Sequence, residues 1–292
     1  MYGRSYLKTI AMAELKLVFP FVNKNEDKKF LLFALTMLIF PLILYRAYVQ
    51  STISYVELVV TPKCNLNCVG CANLMPCYPK TVDHIDFEIL KNSIDALFEM
   101  SKRIETMKFI GGEPFLYKQL GELVEYAAKS PKVKKIIITT NGSVTPKSET
   151  VSKIKHKNVI VDISDYPIVD STHFIDILKE NGVNYRMIEF SEWNDYGTAE
   201  KRGLSHDVLK RSFRECASAE CKTILNGKFY VCPRAAHGDA LGIIPASDKE
   251  ALDIFSKKTD FKSLYSLSCI NACDHCTPVW ERKGIECGVQ MK

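Results

Sequence analysis

From residue 54 onward, apolar positions alternate between two periods along the chain. Val56–Thr61 (VELVVT), a nearly continuous apolar run, reads as a strand. Asp86 is placed to cap a helix whose apolar positions, Phe87, Leu90, Ile94, Leu97 and Phe98, recur on one helical face. Met107–Ile110 reads as a second strand running into Gly111-Gly112. Leu120, Leu123, Val124 and Ala127 mark a second helix. Val133–Thr140 is a third strand, stopped by Asn141-Gly142, and Asn158–Ile163 a fourth. A helix carrying Phe174–Leu178 comes next, and Tyr185–Phe190 is a fifth strand. Strand, helix, strand at this rhythm predicts right-handed βαβ units and a parallel sheet, an α/β fold. The pattern does not decide closure: a barrel, a partial barrel and an open sheet all fit it.

The pattern differs at both ends. Residues 30–45 (FLLFALTMLIFPLILY) carry no charge and are apolar around the whole helical circumference. At about 1.5 Å per residue this hydrophobic helical segment reaches about 24 Å, short of a hydrocarbon core of about 30 Å. Extension to Val49 takes in Arg46, with Tyr45 and Tyr48 as interfacial anchors. Six Lys/Arg precede the run, and the positive-inside tendency would then export the cysteine-bearing residues 51–292, where clustered thiols call for a reducing compartment. The expectation is a peripheral or re-entrant membrane contact through residues 30–49, with a helix packed on the globular body and a single span as the other readings. Beyond residue 210, two short β-prone runs around Asn226-Gly227 predict a hairpin, Thr223 to Val231, flanked by cysteines. The sequence thus divides into a basic, hydrophobic segment (1–50), an α/β core (51–210) and a cysteine-rich segment (211–292).

Composition sharpens this division. The chain has 292 residues, 47% of them hydrophobic, enough to bury a full core. Residues 1–50 carry a net +4 of the chain's formal +5, so the remainder is nearly neutral. A nucleic-acid-binding enzyme concentrates basic charge on its working domain, and no nucleic-acid partner is expected. The 11 cysteines fall into two groups, Cys64, Cys68, Cys71 and Cys77, then Cys216, Cys221, Cys232, Cys269, Cys273, Cys276 and Cys287. Small size and a cleavable leader, the marks of a disulfide-stapled secreted protein, are both missing from this reading. Clustered thiols in a reducing compartment therefore read as metal ligands, and the expected location is the cytoplasm, with membrane association at its cytoplasmic face.

Cys64, Cys68 and Cys71 form C-x3-C-x2-C directly after the first strand. Zinc usually takes four protein ligands in two separated pairs. Three thiolates on one loop suit a cubane iron–sulfur cluster with one iron left open. The motif, its place after strand one, and Gly111-Gly112-Glu113-Pro114 after strand two resemble the radical S-adenosylmethionine (radical SAM) superfamily. The resemblance covers about residues 54–190. It implies a partial (β/α)6 TIM-like barrel and a [4Fe–4S] cluster held by Cys64, Cys68 and Cys71, with SAM chelating the open iron. One-electron cleavage of SAM would give methionine and a 5′-deoxyadenosyl radical that abstracts hydrogen from a substrate. By the same resemblance Gly111, Gly112 and Glu113 line the SAM amino-group site, Glu113 accepting from the ammonium. Ser164 is a candidate for the ribose hydroxyls, with a turn or cap role as its alternative, and Asn141 is a second candidate. Arg186 reads as a surface salt bridge rather than a SAM-carboxylate partner. The family often has an aromatic residue just before the third cysteine, where this chain has Gly70.

Cys216, Gly227 and Cys232 around the hairpin resemble the start of a SPASM or twitch extension, which binds auxiliary [4Fe–4S] clusters. Cys269, Cys273, Cys276 and Cys287 depart from the usual spacing. Seven thiols support one complete auxiliary cluster or two with an incomplete set, with zinc as a further alternative. Cys216, Cys232, Cys273 and Cys276 are the first-choice ligands, with His237 and His275 in reserve. Cys77 reads as a free thiol. Glu192–Gly197 reads either as a substrate-pocket rim or as a surface loop. The resulting expectation is an oxidoreductase or modifying enzyme acting on a sugar, a lipid-linked precursor or a peptide, supplied with electrons by a flavodoxin or ferredoxin. A peptide maturase of the same superfamily and a non-catalytic iron–sulfur or zinc protein are the alternatives.

Overall fold

The computed structural model describes residues 52–257 and 260–291, together with Met37. The membrane contact expected for residues 30–49 otherwise lies outside the described residues. Among the described residues, no helix is long and apolar enough to cross a membrane.

Among the described residues eight strands form one mostly parallel sheet, in the order β5-β4-β3-β2-β1-β7-β8-β9, which does not close into a barrel. β1 (Thr52–Thr61) lies at its centre, parallel to β2 (Arg103–Gly111) on one side and to β7 (Thr223–Leu225) on the other. Val56, Leu58 and Val60 on one face of β1, and Ile53 and Val59 on the other, are fully buried, which accounts for the apolar run broken only by the buried Glu57. β3 (Val133–Thr140), β4 (Val159–Asp165) and β5 (Tyr185–Glu189) continue the parallel order. β2 begins four residues before the predicted start. Arg103 and Glu105, which hid that stretch from the apolar pattern, pair with each other on its partly exposed side.

The helices return the chain across the sheet. In α1 (Phe87–Met100) the Asp86 carboxylate accepts from Glu88 N at 2.9 Å and Ile89 N at 3.2 Å, satisfying two donors that a helix start leaves open. Leu90, Ile94 and Leu97 form its buried face. α2 (Leu120–Ala128) buries Leu120, Leu123, Val124 and Ala127, the four positions the periodicity marks. α3 (Ser148–Ile154) and α4 (Thr172–Glu180) come after β3 and β4. α3 escaped the sequence reading because a seven-residue helix presents too few apolar positions to register a period.

Beyond β5 lie β6 (Trp193–Asn194) and α5 (His206–Glu215). β7 and β8 (Lys228–Tyr230) then form the predicted hairpin, with φ of 49° at Asn226 and 75° at Gly227 as a primed turn requires. α6 (Pro233–Ala240) and β9 (Ala251–Asp253) come next. β10 (Gly284–Ile285) pairs antiparallel with β6. The cysteine-rich segment is therefore continuous with the core sheet through β7–β9, and residues 51–292 form one compact unit.

α6 carries a pH-sensitive group. His237 is fully buried, with Nδ1 2.9 Å from the Tyr78 hydroxyl and Nε2 without a partner, and burial pushes its pKa down to about 3. An unfolded histidine binds a proton near pH 6.5, so below that pH the unfolded state takes up a proton the folded state refuses. Folding stability then falls by about 1.4 kcal/mol per pH unit. Urea unfolding at pH 7.5 and 5.0 should show wild type losing about 2 kcal/mol more than His237→Gln. Equal losses in the two proteins would refute a depressed pKa at His237.

Candidate active site

Because β1–β5 run parallel, the loops after them gather along one edge of the sheet, where ligands of α/β proteins bind. Here a cavity of about 350 Å³ is lined by Cys64, Cys68 and Cys71 after β1, Gly111 and Gly112 after β2, and Thr139, Thr140 and Asn141 at the end of β3. Ser164 and Tyr166 line it at β4, with Phe190, Glu192, Trp193, Asn194 and Tyr196 beyond β5. Of the residues expected around the SAM-binding cluster, all but Glu113 line this one cavity.

Glu113 stands behind the wall. Its side chain is fully buried, Oε1 accepting from Thr140 Oγ1 at 2.7 Å and Phe115 N at 3.0 Å, Oε2 from Asn141 N at 2.8 Å. Burial pushes its pKa up to about 7, against these three donors. In this structure its carboxylate ties the end of β2 to the end of β3. Asn141 in turn donates through Nδ2 to Asn65 Oδ1 at 3.1 Å, linking β3 to the cysteine loop.

Gly112 fixes the loop's approach. Gly112 N donates to Thr61 O and Glu113 N to Lys63 O, each at 2.8 Å. A Cβ on Gly112 would fall 2.2 Å from Lys63 O and 2.7 Å from Cys64 Cβ, so only glycine lets the two turns meet. Gly70 is also constrained. Its φ is 68°, and a Cβ there would fall 2.2 Å from Ile285 Cδ1.

The cysteine loop has the chemistry a cluster needs. Burial pushes the Cys64 thiol up to about 12 and raises Cys68 and Cys71, so these thiols stay neutral until a cation compensates the thiolate. Donors already face the sulfurs: Leu66 N lies 3.4 Å from Cys64 Sγ and Gln290 Nε2 3.2 Å from Cys68 Sγ. Among the described residues no three Cys, His, Asp or Glu side chains converge on a single ion. Thr139 Oγ1, buried in the same wall, has no protein partner and is free to bond a ligand.

A second cavity holds Cys216, Cys232, Cys273 and Cys276 together, the four thiols the sequence put first for an auxiliary site. Burial raises Cys273 to about 12 and pushes Cys232 and Cys276 up, while Arg234 and Arg282 pull Cys276 back down. Arg282 Nη1 and Nη2 each lie 3.6 Å from Cys216 Sγ. Arg234 is 4% exposed and donates to Gly197 O at 2.7 Å, but its Nε has no partner. A buried cation facing four thiols without a carboxylate fits an anionic thiolate cluster. Tyr196 lines both cavities, and its ring carries the Arg282 guanidinium at 4.4 Å and the Arg234 guanidinium at 5.9 Å.

Other expected residues fall elsewhere. Arg186 forms a bidentate pair with Asp162 at 2.6 and 2.8 Å, away from the cavity lining. His275 Nδ1 faces Ala199 O, and Cys77 is exposed. Cys221, Cys269 and Cys287 line neither cavity. Thr139, Tyr166, Arg234, Arg282 and Gln290 were missed by sequence reasoning. For Tyr166 and Arg234 a signal existed, since each lies two residues beyond a candidate, Ser164 and Cys232. Gln290 had none.

Comparison with known proteins agrees with this geometry. The family model of the radical SAM superfamily matches residues 58–229. The GTP 3′,8-cyclase of Clostridium acetobutylicum is 27% identical over 171 residues, covering 49% of this chain and 51% of that protein. That of Chlorobaculum tepidum is 36% identical over 91 residues, 31% of this chain and 26% of its own length. The chain thus spans about half, or less, of the curated relatives it matches. Among solved structures, BtrN in complex with AdoMet and 2-DOIA aligns with a TM-score of 0.51 at 16% identity, over 78% of this chain and 93% of BtrN, a likeness of fold.

Proposed function

The chain belongs to the radical SAM superfamily, whose members are enzymes using a [4Fe–4S] cluster with SAM, and on that premise we propose that it abstracts hydrogen from an organic substrate seated beside that cluster. The observation that carries this reading is one cavity lined by Cys64, Cys68, Cys71, Gly111, Gly112, Asn141, Ser164 and the unpartnered Thr139 hydroxyl. When bound, the cluster and SAM supply one-electron cleavage to methionine and a 5′-deoxyadenosyl radical.

The chain's own residues do the rest. Cys64, Cys68 and Cys71 hold the cluster at the loop, and Gly111 and Gly112 leave room for SAM against the end of β2. Thr139 and Ser164 offer hydroxyls to its polar groups. Glu113 acts from behind, holding the β2 and β3 ends in register. The wall of Tyr166, Phe190, Trp193 and Tyr196, with Glu192 and Asn194 at hand, excludes water and presents an aromatic face with one carboxylate to the substrate, a small molecule or a peptide side chain. Cys216, Cys232, Cys273 and Cys276 hold one auxiliary [4Fe–4S] cluster within residues 211–292, and Tyr196 forms the wall it shares with the substrate cavity. The thiol chemistry calls for a reducing, cytoplasmic setting and an electron donor of flavodoxin or ferredoxin type.

Anaerobically purified protein should contain about eight irons and eight sulfides per chain, and about four of each after Cys273→Ala with Cys276→Ala. With SAM and dithionite the unmodified protein should release 5′-deoxyadenosine. Stoichiometric zinc without sulfide would overturn the reading.

A further inference from the structure

The cysteine loop is not self-contained. An extended segment from more than two hundred positions later lies along it. Val69 N donates to Val289 O and Met291 N to Asn67 O, each at 2.7 Å, and Cys68 and Gln290 face each other as an antiparallel bridge. Ile285 fills the space beside Gly70. This contact was invisible to motif reading because neither partner carries a signal for the other.

Within it the Gln290 amide is fully specified. Oε1 accepts from Asn67 N at 2.6 Å, while Nε2 donates to Gly288 O at 2.6 Å and to Cys68 Sγ at 3.2 Å. Turning the amide over would set oxygen against the Gly288 carbonyl and N–H against the Asn67 N–H, so these two partners fix which end meets the sulfur. Cys64 has its donor from the next turn of its own loop, at Leu66 N. Cys68 receives a side-chain donor 222 positions away in sequence.

Resting on the reading that Cys64, Cys68 and Cys71 hold an iron–sulfur cluster, we propose that Gln290 is a positioning residue that sets the cluster's reduction potential through its N–H···S bond to Cys68. A hydrogen bond to a ligating thiolate withdraws negative charge and stabilises the reduced, more anionic cluster, so it raises the potential. The segment that supplies it also packs on the substrate side of the cavity: Gly288 lies against Tyr166, and Cys287 Sγ lies 4.0 Å from Phe190 O. The donor to the cluster is thereby built into the same strand of chain that backs the aromatic wall.

The test is a redox titration of the full chain with its clusters, monitored by electron paramagnetic resonance and reading only the reduced signal that changes when SAM is added. Gln290→Leu removes both ends of the amide. Gln290→Glu keeps an acceptor for Asn67 N and turns a carboxylate oxygen toward Cys68 Sγ. The midpoint potential should shift negative in Gln290→Leu and further in Gln290→Glu, with iron content and the SAM response retained. Where Gln290→Leu fails to fold, the shift in Gln290→Glu decides the matter. Potentials equal to wild type in both variants, or loss of the cluster from folded Gln290→Glu, would overturn the proposal. Absence of iron or of a SAM-responsive signal in wild type would defeat the cluster reading instead.

Discussion

Cys71→Ala is expected to lose about four irons per chain and all SAM cleavage above background while the protein remains folded. Cys71 lies on the cavity wall in a loop whose backbone is held from outside by Gly112 N, Glu113 N and the segment after Cys287. Replacing the thiol gives up its bonds from the Asn73 and Met75 backbone but leaves those outside contacts in place. Burial already holds Cys71 as a neutral thiol, and replacing it removes a ligand without stranding a charge. Anaerobic iron and sulfide analysis, 5′-deoxyadenosine release and far-ultraviolet circular dichroism on the same preparation check the expectation. Full SAM cleavage by Cys71→Ala would remove it from the ligand set.

Glu113→Gln should destabilise the protein by about 2–3 kcal/mol even in the absence of iron and SAM. Both carboxylate oxygens accept from protein donors, two of them backbone N–H groups at opposite ends, Phe115 N and Asn141 N. Glutamine has one carbonyl oxygen to offer. Either orientation of its amide leaves one of those buried N–H groups facing another N–H, and an unsatisfied buried donor costs the full desolvation penalty. Urea unfolding of the cluster-free protein at pH 8 is the measurement. If Glu113 served only the SAM ammonium, the cluster-free variant would unfold like wild type, so unchanged stability would overturn the structural role.

These two residues mark the difference between what a motif and a fold can say. Cys64, Cys68 and Cys71 stood out by their spacing after a strand, and Gly111-Gly112-Glu113 by the resemblance to the radical SAM superfamily. The parallel order of β1–β5 follows from the alternation of apolar strands and helical faces, because right-handed crossovers leave few other arrangements. The capping Asp86 and the Asn226-Gly227 hairpin were legible for the same local reason: each is decided within four or five residues by hydrogen bonding or φ. The division of labour between Gly112 and Glu113 was not legible. It depends on Lys63 O, Thr140 and Asn141, which adjoin only after three strands are in register.

By itself the sequence determined the α/β core and the place of the first three thiols at a strand's end, since these rest on local periodicity and local spacing, while the four thiols that share the second cavity were chosen on a resemblance to a SPASM or twitch extension. Tertiary structure decided that the sheet stays open, that β7–β9 extend it past β1, that Tyr196 stands between two cysteine-lined cavities, and that Gln290 meets Cys68. Those four depend on contacts between segments far apart in the chain. No short window of sequence encodes them, because such a contact is selected by packing and hydrogen-bond satisfaction across the whole fold rather than by the preference of either segment alone.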